Sequence, residues 1–239
     1  MILSGHQPVY LPGVILFNKI ALSDAFMFVG HCQFVHKSWH IRNRVRVGTD
    51  AHWLSVPVNQ AGRFGQAIND TEILDNPWRR KHVGTLRQAY QRRPHFDAYF
   101  DGLAQIIEHG PTTLGDFNIA LIRRLLEWLD IRTQILDSRE FHIEGHKTDM
   151  LVSMCRAAGA DRYLSNKGST YVDEAAMASV GLTHYWQDFV HPVYSQGEGV
   201  PFMPDISVVD LLFNTGPKAG SIVRNSGTIE TMPAIREES

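Results

Sequence analysis

Cysteine is nearly missing from this chain. Cys32 and Cys155 are the only two among 239 residues, and neither belongs to a CxxC pair. The disulfide framework of a small secreted domain is therefore excluded. Long apolar runs are missing too. None reaches the ~18 residues that a bilayer span needs, because Lys19, Asp24 and the Arg123-Arg124 pair interrupt the longest candidates. The opening Met1-Ile2-Leu3-Ser4 has no basic start and runs directly into His6-Gln7-Pro8, so no secretion signal is expected. GxxxxGK[ST], HExxH and GxSxG are all absent, which removes the P-loop, zincin and nucleophile-elbow readings. Charged residues amount to only 20% against 44% hydrophobic, a balance that excludes disorder and coiled coil and leaves enough apolar surface for a sizeable core. The expectation is a soluble cytoplasmic protein with no membrane partner.

Acidic residues are locally scarce as well, and here the absence becomes informative. Residues 25–96 hold eleven Lys/Arg against four acids, whereas residues 97–239 hold eleven against twenty. No acid lies between Asp24 and Asp50, nor between Asp75 and Asp97. Neighbouring carboxylates therefore cannot neutralise these cations, and the first part of the chain is expected to face something anionic. Phe34, Trp39, Trp53, Trp78 and Tyr90 interleave with the basic residues, in a pattern that serves stacking on a base or sugar as well as core packing. With a pI near 6.6, a phosphate-bearing small molecule is a cheaper explanation than dedicated DNA binding.

Apolar patterning gives the layout. Met1–Gly5 and Ala25–Val29 read as buried strands flanking a helix over Val14–Ala21, which makes a βαβ unit. Trp53–Val58 and Ile68–Leu74 read as further strands. Helices are predicted over Trp78–Gln91, Phe96–His109 and Leu114–Leu129, separated by Pro94 and by Gly110-Pro111. Strand signals follow at Thr133–Leu136, Arg162–Leu164 and Leu182–Val190, with helices over Asp149–Ala158, Asp173–Val180 and Ser207–Asn214. The chain thus divides into an N-terminal α/β part (1–75), a helical insertion (76–130), the remainder of the α/β domain (131–225) and a ragged tail (226–239). The fold class is α/β, a Rossmann-like mostly parallel sheet with a helical insertion.

Two clusters carry candidate chemistry. Gly5-His6-Gln7-Pro8-Val9-Tyr10-Leu11-Pro12-Gly13 lies between the first strand and helix, where open α/β sheets place their ligands. His6 supplies a titratable ring, Gln7 an amide and Tyr10 a hydroxyl. The stretch from Gln33 to Arg44 follows the second strand and is expected on the same edge; its Lys37, Arg42 and Arg44 suit phosphate or carboxylate. His31, Cys32, His36 and His40 invite a metal reading, but the neighbouring cations and the missing carboxylates argue against one, and no metal ligand is assigned. Ser165–Tyr171 is a polar loop able to cradle an anion. His191-Pro192-Val193-Tyr194 repeats the His/Pro/Tyr theme, and Asp205 and Asp210 offer carboxylates. No motif names a cofactor.

Taken together, these blocks resemble the WbqC-like family. The resemblance rests on HQPxYLP (His6, Gln7, Pro8, Tyr10, Leu11, Pro12), Phe17-x-Lys19-Ile20, Ser23-Asp24 and Gln33-Phe34. It continues through Ser38-Trp39-x-x-Arg42-Asn43-Arg44, Trp53–Val58, Trp78-x-x-Lys81-His82 and the HPVY block ending at Tyr194. Phe202-x-Pro204 and Ser207-x-x-Asp210-Leu211-Leu212-Phe213-Asn214-x-Gly216 complete it. Departures stand at His31-Cys32, where an acidic pair is expected, and at Lys167, where a small residue is. The resemblance implies surface-polysaccharide or amino-sugar biosynthesis and a nucleotide-linked or phosphorylated sugar as ligand. It prescribes no reaction; the leading expectation is a transferase that passes an acyl or aminoacyl group to an amine of such a substrate. On that reading His6 is the base, while Gln7, Tyr10 and Asn43 orient the substrate and Trp39 stacks on a ring. Lys37, Arg42 and Arg44 hold phosphate, and Gln33, Lys81, Ser165, Gly168, Tyr171, His191 and Asp205 are further contacts. Alternatives are a phospho-sugar binding protein without turnover, and an RNA partner such as a charged tRNA held on the basic face Arg79–Arg93.

Overall fold

The computed structural model describes residues 1–230. Strand β1 (Ile2–His6), helix α1 (Val14–Ala21) and strand β2 (Ala25–Phe28) form the expected opening unit. The two strands pair in parallel, from Leu3 opposite Ala25 to His6 opposite Phe28. Strands β3 (Arg42–Val47) and β4 (Asp50–Ser55) make a separate antiparallel hairpin. Helices α2 (Trp78–Tyr90), α3 (Phe96–His109) and α4 (Leu114–Trp128) follow. The chain then alternates through β5 (Gln134–Asp137), α5 (Thr148–Ala158), β6 (Arg162–Asn166), α6 (Glu174–Ser179) and β7 (Thr183–Phe189). Helices α7 (Val208–Thr215) and α8 (Ala219–Arg224) and strand β8 (Gly227–Glu230) complete the described chain.

The main sheet has the order β5-β2-β1-β6-β7-β8. Every neighbouring pair is parallel except β7 with β8. This is a mixed α/β architecture with a mostly parallel central sheet and flanking helices, consistent with a Rossmann-like fold. The physical reason is visible in β2, which is apolar on both faces, as a strand covered by helices on each side must be. Phe26 and Phe28 join the large core that contains Phe17 of α1, whereas Ala25 and Met27 join Leu3, Met154 and Tyr163 on the other side. The larger core also takes in Trp78, Phe100, Phe117 and Leu121 of the three-helix segment.

From β1 the chain steps to β2 and β5, then returns to place β6 on the other side of β1. The winding direction reverses between β1 and β6. The crevice outside their carboxyl ends is where open α/β sheets bind ligands.

Several local expectations are corrected. Arg42–Val47, to which the apolar pattern assigned no element, is a strand, because Asn43 and Val45 turn inwards while Arg42 and Arg44 stay partly exposed. Its partner strand spans Asp50–Ser55, not Trp53–Val58. Ile68–Leu74 forms no ladder; its amides bond singly to distant carbonyls, Ile68 to Cys32, Asn69 to Gly30, Ile73 to Thr112 and Leu74 to Pro57. Ser165 and Asn166, expected in a loop, are the last residues of β6. The segment from 226 onward opens with β8, paired through Gln187–Ile229 and Asp188–Thr228; the rest of the expected tail, 231–239, lies outside the described residues.

One buried amide locks the loop that follows β1. Asn118 of α4 has no solvent exposure, and its Nδ2 donates to the carbonyls of Pro8 (3.2 Å) and His40 (2.8 Å). Asn118→Ala strands both acceptors without water. It should cost about 2–3 kcal/mol, read as a lower urea midpoint with an unchanged m-value.

Candidate functional site

Two cavities meet at the carboxyl edge of the sheet. The first, of about 420 Å³, lies on the α5 side and is walled by Gly5, His6, Lys19, Met154, Ser165, Asn166 and the turn Lys167–Ser169, together with Cys32 and Tyr171. The second, of about 470 Å³, lies on the α1 side against Val9, Ile15, Leu16, Trp39, Asn43, Arg44 and Asp205. His6 and Asn166 line both. The result is one cleft across the switch point between β1 and β6.

Lys19 lines the first cavity and bonds to the shared Asn166. Side chains on a helix lean back towards the helix N-terminus, so a lysine in the last turn of α1 reaches the sheet edge rather than solvent. It is only 3% exposed. Its Nζ donates to the Gly5 carbonyl (3.0 Å) and to Asn166 Oδ1 (2.6 Å). No carboxylate lines the first cavity. Burial without a counter-charge pulls the ammonium down to about 7.

His6 is half-buried, and its Nδ1 donates to the Gln7 carbonyl at 2.7 Å. That bond fixes the tautomer and leaves the Nε2 lone pair free to accept a proton. Burial and the nearby Lys19 charge lower its pKa to about 3, well away from the ordinary imidazole value assumed for a base. An anion paired with Lys19 would remove one of those two causes.

Gln7 lines the first cavity and accepts from His40: the ring's Nε2 lies 2.7 Å from Gln7 Oε1, while its Nδ1 faces the Val35 amide at 3.5 Å. Both contacts suit the neutral ring, and burial lowers its pKa to about 4. Tyr10 is completely buried, stacked on Phe117, with its hydroxyl 2.9 Å from His82 Nδ1. It belongs to the core rather than to either cavity wall.

The hairpin supplies the rim of the second cavity. Asn43 is buried and donates to the Leu11 carbonyl at 2.7 Å. Arg44 Nη2 donates to the Asp205 carbonyl at 2.9 Å. Trp39 and Trp53 are both largely exposed, with ring centroids 5.5 Å apart. The Arg42 guanidinium lies 4.5 Å from the Trp53 ring centroid. Asp205 has a left-handed backbone (φ 56°), and its amide donates to His191 Nε2 at 3.2 Å. His191 therefore supports the loop beneath Asp205.

Other expected residues are more scattered. Ser165, Gly168 and Tyr171 line the first cavity; Gly168 adopts φ +93°, which only glycine takes without strain. Gln33 and Lys37 are exposed on the connection between β2 and β3, and Lys81 is exposed on α2; none lines the two cavities. On the basic face, Arg79 is bonded internally to the carbonyls of Ile107 and Pro111, while Arg80 and Arg92 remain exposed. His31, Cys32, His36 and His40 do not converge: His31 bonds Ser138, His40 bonds Gln7, and no three His, Cys, Asp or Glu side chains among the described residues form a metal cluster. Both cysteines are free thiols.

Lys19 is the residue that sequence reasoning passed over. It stood in the pattern as a break in an apolar run and as part of the Phe17-x-Lys19-Ile20 block, with no chemical role. A single lysine in the helical stretch Val14-Ile15-Leu16-Phe17-Asn18-Lys19-Ile20-Ala21 was the available signal, since such a position is otherwise core.

Comparison with known proteins adds two findings. A family model described as WbqC-like protein family matches residues 7–222. The uncharacterized protein Rv1507c of Mycobacterium tuberculosis is 32% identical over 221 residues, covering 91% of this chain and 95% of that protein. No solved structure matches.

Proposed function

The chain belongs to the WbqC-like protein family, and on that premise we propose that it is a transferase that passes an acyl or aminoacyl group to the amine of a nucleotide-linked amino sugar, in cytoplasmic steps of surface-polysaccharide assembly. The observation that carries this reading is the buried Lys19 ammonium, which has no carboxylate beside it and closes a cleft at the switch point. A buried charge of one sign is costly unless something pairs with it. A diphosphate supplies that pairing from the ligand side.

The rest of the cleft suits the remainder of such a molecule. Helix α1 is preceded by Gly13 at its N-cap, with no side-chain cap and no acid in its first turn, so its N-terminus favours anionic oxygen. Trp39 gives a flat apolar surface for a sugar or base, and Arg44 places a cation beside it. His6 presents Nε2 where the two cavities join. There it can take a proton from an acceptor ammonium once the ligand's charge has offset that of Lys19. Among the described residues no helix is long and apolar enough to cross a membrane, which accords with a substrate drawn from water.

The test is a thermal-shift panel of UDP-, dTDP- and GDP-sugars, ATP, acyl-CoA and bulk tRNA, with wild type beside Arg44→Ala. A nucleotide sugar at a hundred times its Kd should add about 2.7 kcal/mol, a rise of about 5–10 °C for a chain of this size. The rise should shrink in Arg44→Ala. If tRNA or acyl-CoA shifts wild type and no nucleotide sugar does, the substrate assignment fails.

A further inference from the structure

The wall of the first cavity holds a second constellation that the proposed binding mode does not use. Ser165, near the end of β6, and His184, on β7, stand on the same face of adjacent parallel strands, because the register sets Tyr163 opposite His184 and Ser165 opposite Trp186. Ser165 Oγ lies 2.9 Å from His184 Nε2. Behind the ring, His184 Nδ1 faces Glu174 Oε1 at 3.5 Å. Glu174 is held from a third direction, since the Trp186 indole donates to the same Oε1 at 2.7 Å. The His184 ring is edge-on to Trp186 at 4.4 Å and nearly out of solvent. Ser165 lines the cavity; His184 and Glu174 stand behind it.

We propose that Ser165, His184 and Glu174 form a nucleophilic relay in which Ser165 carries the acyl group between donor and acceptor. A hydroxyl, an imidazole within hydrogen-bond reach and a carboxylate facing the other ring nitrogen are the three parts that such chemistry needs. A proton on His184 Nδ1, turned towards Glu174, leaves Nε2 to accept from the serine. The donor is an activated acyl ester or thioester. Ser165 Oγ bonds to its carbonyl carbon and passes its proton to His184 Nε2. The C–O or C–S bond to the leaving group then breaks, and His184 returns that proton to the departing alkoxide or thiolate. In the second half, an amine attacks the acyl carbon and the bond to Oγ breaks. The amine's proton travels through His184 Nε2 back to Oγ, so the protein ends as it began.

This step deepens the transferase reading, but it can be tested without any nucleotide sugar. Full-length protein is treated at pH 8 with phenylmethylsulfonyl fluoride, and the adduct is located by peptide mass mapping. One sulfonyl group on Ser165 is expected, formed about a hundredfold more slowly in His184→Gln and more slowly also in Glu174→Gln. Equal rates in wild type and His184→Gln would overturn the relay.

Ser165→Cys extends the test to a probe of any size. Its alkylation by iodoacetamide should show an inflection well below that of Cys32, a thiol on the same cavity wall that burial pushes up. The titratable groups around this position are His184 and Glu174 behind it and His6, Lys19, Cys32, Tyr163, Lys167 and Tyr171 on the cavity wall; a further His184→Gln change should restore the high inflection while leaving the others in place. An inflection in Ser165→Cys no lower than that of Cys32 refutes the relay. It does so whether or not nucleotide sugars bind, and loss of nucleotide-sugar binding would leave a positive result standing.

Discussion

Acidification from pH 7 to about 4.5 should unfold this protein, and three histidines set where. His40 and His82 are almost fully out of solvent, and burial lowers both to about 4. His6, half-buried beside Lys19, falls to about 3. In the unfolded chain each titrates near 6.5. Between 6.5 and these lowered values the unfolded state binds more protons than the folded one, so stability drops as pH falls. Each group costs about 1.4 kcal/mol per pH unit across that window. His40 and His82 alone should therefore remove about 4–5 kcal/mol by pH 4.5, close to the lower end of the total stability of a domain. Burial is the main reason that the rings resist charging, and His40 adds a second. His40 Nδ1 faces the Val35 amide, so a proton there would point at another N–H. Urea midpoints followed by tryptophan fluorescence at half-unit pH steps measure the effect; midpoints that stay flat from pH 7 to 4.5 would contradict it.

Replacing Lys19 with methionine should make the protein more stable while destroying its ligand response. The ammonium titrates at about 7 when folded and near 10.4 when unfolded. Between those values the unfolded state holds the extra proton, so wild-type stability climbs with pH relative to Lys19→Met. At pH 7 nearly the whole cost of burying the charge is present. Loss of the bonds to Gly5 and Asn166 Oδ1 offsets part of the gain, leaving the variant about 1–3 kcal/mol more stable at pH 7. The advantage should vanish by about pH 10. Nucleotide sugars should no longer raise the melting temperature of the variant. Chemical denaturation at pH 7 and 9.5 decides the first part; a variant less stable than wild type at both would show that Lys19 is a structural strut.

How much of this could be read from the sequence depended on the range of the forces involved. The α3 helix, Phe96–His109, was legible to the residue because local apolar spacing, Pro94 and Gly110-Pro111 define it without reference to the rest of the chain. The parallel pair β1–β2 was legible for the same reason. Arg42–Val47 was read as charge because its arginines dominate the pattern, while the alternation that makes it a strand is carried by only Asn43 and Val45. Ile68–Leu74 looked like a strand by composition, yet its backbone partners come from three separate segments. The site divided along the same line. His6, Gln7, Asn43, Arg44 and Ser165 were named from residue type and position after a strand, and the cavities contain them. The meeting of Ser165 with His184 depends on strand register, which no local signal encodes. Tyr10 was misplaced because a hydroxyl in a polar loop says nothing of the His82 waiting 72 residues away.

The shared walls of the two cavities have a further consequence. One chamber leans on Met154 of α5 and the other on Leu16 of α1, so they approach the sheet edge from opposite faces and touch only at His6 and Asn166. Such a cleft has a single waist, and any ligand that occupies both chambers passes beside one histidine and one asparagine.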